Sequence, residues 1–244
     1  MLRGSPVVQV GNSRERIARL VDRFGRRFSE ELDIKLDHSD KDEVFKWFVA
    51  SILFGSRISE KIAIKTYRKF MENGLDTPDR IVEAGWDRLV EVLDSGGYAR
   101  YDFKTATKMI EVMKNLRGRY RGDLRRLHAE ASSPADLEMK IKQLGKGIGD
   151  VTVSIFLREL RGIWRYADPP LQELAITAAQ SLGLTKREGR DEAEKLAILK
   201  ELRRLWSRNR IKGKSFIDFE TALVRYGKDV LRKKMLGSRR STGR

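Results

Sequence analysis

Apolar residues recur along the chain at the three- and four-residue spacing of amphipathic helices, and each run is bounded by recognisable start and stop signals. Ser13 can cap a first helix, RERIARLVDRFGRRFSEEL, in which Ile17, Leu20, Val21 and Phe24 share a face. Asp40 opens KDEVFKWFVASILF, whose second half is apolar all round and so belongs in a core. Ser59 begins EKIAIKTYRKFMEN, closed by Gly74 in the C′ position. Thr77-Pro78 sets a cap before a proline at the first helical position, starting DRIVEA; Trp86 to Leu93 follows, then the break Ser95-Gly96-Gly97. Phe103 to Leu116 is amphipathic through Ala106, Met109, Ile110 and Met113. Ser133-Pro134 repeats the cap-plus-proline signature, Val151 to Leu160 is apolar on one face, and Asp168-Pro169-Pro170 is expected to open LQELAITAAQSLGL. Two last helices are expected over about 192–206 and 215–226. There is no alternating run of a strand, no hairpin-type turn and no internal repeat. The pattern predicts an all-α fold of ten or eleven helices, with the basic ends 1–12 and 237–244 flexible.

Composition narrows the chemistry. The 244 residues include no cysteine and two histidines, which excludes disulfides, thiolate metal sites, Cys-ligated iron–sulfur clusters and a cysteine nucleophile. No metal centre is expected. His38 and His128 lie in charged loops and are expected to be solvated; Trp47, Trp86 and Trp206 are expected in core or interface packing. Lys and Arg number 51 against 35 Asp and Glu, a net charge of +16, which points to a polyanionic partner. The alternative is the charge-rich composition of a heat-adapted protein. The longest uncharged apolar stretch, Trp47 to Ser56, is about half of the ~20 residues a membrane-spanning helix needs. With no secretory signal visible, the expectation is a soluble intracellular protein of the cytoplasm or nucleoid, without a membrane partner.

The most informative local pattern is Leu144-Gly-Lys-Gly-Ile-Gly-Asp-Val-Thr, between two helical runs. Glycines at 145, 147 and 149 let the backbone turn sharply and let a phosphate approach the main chain. Backbone N–H groups of the turn and of the next helix then converge on an anion, and Lys146 adds charge at the tip. Residues Lys146, Gly147, Gly149, Val151 and Thr152 are therefore the candidate contacts to a nucleic-acid backbone. The alternative is a glycine-rich loop that only joins two helices, and Asp150 counts against a phosphate directly beside it.

In its flanking context this segment resembles the helix-hairpin-helix DNA glycosylase superfamily, its endonuclease III-like branch in particular. GIGDVTVSIFL is similar to that family's Gly-hydrophobic-Gly and following helix, and Asp168 stands 19 residues beyond Gly149, near where the family carries its catalytic aspartate. WFVASILFGSRISEKIAIKTYRKF, VEVLDSGGYARYDFKTATKMIEVM and FETALVRYGKDVL resemble further family segments in the family's order, so the resemblance spans about residues 40–232. Three features depart from it. Gly145-Lys146 stands where the family has Leu-Pro, no cysteines exist for the iron–sulfur cluster (Leu231 occupies the first position), and Val151 replaces the lysine that forms a Schiff base in bifunctional members.

The resemblance implies two helical lobes with a DNA-binding cleft: a bundle over 40–150 ending in the hairpin, and a second lobe of 1–39 with 151–244 carrying Asp168. It implies base-excision repair by a monomer on double-stranded DNA containing a damaged or mispaired base, with no iron–sulfur cofactor and room for a monovalent cation at the hairpin. Breaking an N-glycosidic bond develops positive charge on the sugar, which an ionised Asp168 would stabilise while orienting water. Helix-opening amides after Pro169-Pro170 would favour that ionised form; the same Asp-Pro is also a common plain N-cap. With Val151 in place of lysine, water is the expected nucleophile and the enzyme monofunctional. A flipped nucleotide leaves a gap to be filled, and the loops of Ser56, Arg57, Tyr98, Arg100 and Tyr101 are the candidates, although Tyr98 and Tyr101 could equally pack under a helix. Trp164 is a pocket candidate. Two alternatives stay open: a non-catalytic structure-specific DNA-binding protein, and a bifunctional glycosylase/lyase using an unaligned lysine such as Lys142 or Lys146.

Overall fold

A computed structural model of the chain describes residues 12–228. Among the described residues the fold is all-α, without a strand, as the periodicity predicts. The helices are α1 (Ser13–Phe24), the single turn α2 (Phe28–Glu31), α3 (Lys41–Phe54), α4 (Glu60–Glu72), α5 (Pro78–Ser95), α6 (Asp102–Tyr120), α7 (Leu124–Ala129), α8 (Pro134–Lys142), α9 (Asp150–Arg158), α10 (Glu173–Ser181), α11 (Glu192–Arg208) and α12 (Phe216–Tyr226). None of them is long and apolar enough to cross a membrane. The expectations for 1–11, for 237–244 and for Leu231 lie outside the described residues.

Capping sets most of these boundaries. Asp40, Ser59, Thr77, Ser133 and Ser215 accept hydrogen bonds from first-turn amides of α3, α4, α5, α8 and α12, satisfying donors that have no partner inside the helix. The first helix differs from expectation at both ends. Its cap is Asn12, not Ser13, and it stops at Gly25, whose N–H donates to the Val21 carbonyl at 2.7 Å. The apolar pattern runs smoothly across that stop, which hides it in the sequence. α7 has no counterpart among the expected helices; Asp123 caps it and pairs with Arg125. In α5 the expected break after DRIVEA is a bend at Gly85, which adopts φ +76°.

The described residues form two compact units, 29–169 and 12–28 with 170–228. This differs from the expected division at 40 and 150. Residues 151–169 belong with the hairpin bundle because α9 packs on α3, where Phe48 and Phe156 meet edge to face at 5.1 Å. The Trp47 indole seals the same contact by donating to the Phe156 carbonyl at 3.0 Å. Beyond α9, Trp164 stacks on His128 at 4.5 Å and donates to the Ser39 hydroxyl at 2.8 Å, tying the segment before Asp168 into this unit. In the second unit α1 and α10 both pack on α12. Trp206 stacks on Phe219, and Arg27 reaches the buried Asp218 at 3.1 Å and the Ser215 hydroxyl at 3.0 Å.

His128 is thus not a solvated loop residue. Its ring is half-buried, its Nε2 accepts from the Arg165 N–H at 3.2 Å, and burial holds its pKa below the usual histidine value. The folded state therefore prefers neutral His128, and the unfolded chain binds a proton near the ordinary value of about 6.5. Its contribution to stability is present above that pH and is lost as pH falls through the depressed folded value. Thermal melting between pH 7.5 and 5 should show a smaller acid-dependent loss in His128→Phe, which keeps the stack and removes the titration. An identical loss in both proteins would contradict this.

Candidate nucleic-acid interface

The hairpin is positioned by α6. Asn115 donates to the Leu144 carbonyl at 2.8 Å and Arg119 to that of Gln143 at 3.2 Å, so the end of α8 is pinned to the side of α6. Gly145 then lies flat on the helix, where a Cβ would stand 2.6 Å from Cγ2 of Val112. That close approach accounts for the Gly145 departure. Lys146 is exposed and its N–H donates to the Glu111 carboxylate at 3.1 Å. Gly147 turns the chain at φ +92° beside the stem of Lys108, and Ile148 plugs the core beneath the turn.

Gly149 is extended and faces open space, so a Cβ there would meet nothing within 4 Å. It begins α9 without a side-chain cap, which leaves the first-turn amides for a ligand rather than for the protein. Asp150 is partly neutralised, since Lys142 lies 2.5 Å from its carboxylate and holds its pKa below the usual range. Val151 is 57% exposed. Thr152 corrects an expectation: its side chain is buried, and the backbone amide is all it can offer a phosphate.

The buried Thr152 side chain is where a second segment arrives. A Cβ on Gly55 would lie 2.3 Å from Thr152 Oγ1 and 3.2 Å from its Cα, so the loop of Ser56 and Arg57 sits directly on the first turn of α9. The third segment joins through Tyr98, which is 1% exposed; its buried hydroxyl lies near those of Ser56 and Thr105 but makes no hydrogen bond within the described residues. Burial raises the Tyr98 pKa, and the two hydroxyls oppose that shift. Tyr98 is therefore a spacer between loops and cannot be the wedge the sequence suggested. Tyr101 is half-buried, with the exposed Arg100 guanidinium 5.6 Å above its ring. Of the five wedge candidates, Arg57 and Arg100 are the exposed ones; Ser56 donates back to the Ile52 carbonyl at 3.3 Å.

Asp168 lies in the same unit, in an irregular turn after α9, with its N–H donating to the Tyr166 carbonyl at 2.9 Å. It does not open a helix. α10 starts at Glu173 with Gln172 as its cap, so helix-terminal amides do not hold the carboxylate. Arg161 does: its buried guanidinium pairs with Asp168 and donates to the Pro169 carbonyl. The Asp168 side chain remains 39% exposed, a carboxylate anchored by a cation and open to solvent. Periodicity gave no signal for Arg161, because its partner is brought in by a turn. Trp164 is only 3% exposed and belongs to the core, so the pocket expectation is also corrected. Among the described residues no cluster of three or more His, Asp or Glu could hold a metal ion. No protein-family model matches the chain, and a search of curated proteins finds none that matches it.

Proposed function

We propose that the chain is a DNA-binding base-excision enzyme, a monofunctional glycosylase that hydrolyses the N-glycosidic bond of a flipped, damaged or mispaired base with Asp168 as its carboxylate. The observation that carries this is the convergence of sequence-distant segments. The hairpin, the Gly55–Arg57 loop and the Gly97–Tyr101 loop meet through Thr152, Ser56 and Tyr98. A connector that merely joined α8 to α9 would have no reason to gather two other glycine loops around an uncapped helix start. Phosphates would sit at the amides of Gly149 to Thr152, with Arg57 and Arg100 as the side chains able to enter the duplex.

Duplexes carrying uracil, hypoxanthine, alkylated purines, 8-oxoguanine and mismatches test the proposal. Release of one base, leaving an abasic site without strand cleavage, is the expected outcome. The Arg161–Asp168 pair favours a second reading, a structure-specific DNA binder without chemistry, because the guanidinium offsets the charge a catalytic carboxylate must offer. Binding without release from any duplex would establish that reading in place of the first. A borohydride-trapped protein–DNA adduct would instead point to the lyase alternative; of its named lysines, Lys142 is engaged by Asp150.

A further inference from the structure

The charge surplus is not where the hairpin is. Residues 29–169 carry 25 Lys and Arg against 24 Asp and Glu, a net charge of +1, so +15 of the +16 belongs to residues 1–28 and 170–244. Within the described part of that unit, one stretch concentrates it. Between Leu202 and Ile217 there are six basic residues and no acidic one. Lys200, Arg204 and Arg208 are exposed at four-residue intervals on α11, about 6 Å apart along the axis. Arg210, Lys212 and Lys214 continue the row in the following loop, where Gly213 at φ +74° and the Lys214 N–H to the Ile211 carbonyl make a tight, exposed turn. Among the described residues, Lys200, Arg204, Arg208, Arg210, Lys212 and Lys214 make no side-chain ion pair or hydrogen bond, whereas Arg203, the other basic residue of the stretch, is engaged.

The acidic residues of α11 are engaged elsewhere, Glu194 by the Arg190 N–H and Glu201 by Thr185. A helix dipole explains a cation in the last turn of α11, but not three more beyond its end. Local salt-bridge stabilisation does not explain them either, since their partners are missing. The apolar side of α11 (Ile198, Leu199, Leu202, Trp206) is buried, which leaves little to insert into a lipid surface.

We propose that Lys200, Arg204, Arg208, Arg210, Lys212 and Lys214 form a sequence-independent binding surface for the DNA phosphate backbone, and that this surface supplies most of the protein's electrostatic affinity. From the proposed function it takes only that the partner is DNA; it does not depend on base release. The row releases counterions from successive phosphates and reads no base, so it attracts undamaged duplex as strongly as damaged.

The test is fluorescence anisotropy of the full chain on an undamaged duplex over a range of salt concentrations. The triple variant Arg204→Ala/Arg208→Ala/Lys212→Ala should reduce the slope of log K against log salt by about 2–3 and weaken binding at least about tenfold at low salt. Its melting temperature should stay unchanged, because the three side chains are exposed and unpartnered. The corresponding Arg204→Lys/Arg208→Lys variant should bind like the parent. An unchanged slope in the triple variant overturns the proposal, as does loss of binding in the Lys variant. So does a triple variant that loses binding to phosphatidylserine vesicles while its DNA binding is intact. A protein that binds by this row yet releases no base would leave the inference standing and remove only the assignment of Asp168.

Discussion

Asp168→Asn is expected to lower base release by roughly three orders of magnitude while DNA affinity changes by less than about threefold, the range seen when one electrostatic or acid–base group is removed from an active site. The amide matches the carboxylate in shape, and its Oδ1 can still accept from Arg161, so the turn around Pro169 keeps its anchor. What disappears is the negative charge that the proposed reaction needs beside the sugar. Arg161 is then left with a neutral partner, so a melting curve must accompany the kinetics. Should the variant melt early, Asp168→Glu provides a second measure: it restores charge at a displaced position, and partial recovery of base release with recovered stability is expected. Base release unchanged in Asp168→Asn would make Asp168 only the counterion of Arg161.

The second large effect is structural and falls on the convergence of loops. Gly55→Ala is expected to destabilise the protein by about 2–3 kcal/mol, at the upper end of what overpacking usually costs. The new methyl group would stand 2.3 Å from Thr152 Oγ1, 3.1 Å from the Ser51 carbonyl and 3.2 Å from Thr152 Cα. A hydroxyl can rotate away, but the other two contacts are backbone, so α9 or the end of α3 must shift. The shift occurs at the proposed phosphate site, and DNA affinity should fall together with stability. Thr152→Ala in the same chain removes the closest clash and should recover part of the loss, so the two substitutions should be non-additive in a double-mutant cycle. Strict additivity in melting experiments would mean that the loop and α9 do not touch as described.

Much of this is legible in the sequence. The helices with a strong apolar face and a Ser, Thr or Asp cap, such as α3, α4, α5 and α8, follow from local preferences that act within a few residues. The hairpin was legible for the same reason, since Gly147 is needed where φ is positive. Where expectation failed, a distant partner decided. Tyr98, Thr152 and Trp164 carry residue types suited to DNA contact, and each is buried by a segment far away in the chain. Asp168 before two prolines has the local signature of a helix start, but pairing with Arg161 and an irregular turn delay the helix to Glu173. His128 looked solvated among charges until Trp164 covered it.

The all-α class, most helix boundaries, the hairpin turn, the absence of cysteine chemistry and the size of the charge surplus are readable from the chain, because each depends on composition or on spacing within one element. Which glycine loops share a surface, that Arg161 is the partner of Asp168, and that the charge surplus lies outside the hairpin unit emerge from the folded chain. Those depend on how the chain packs and turns: Gly55 comes onto Thr152 and residues 151–169 join the hairpin unit, and no periodicity along the sequence records either.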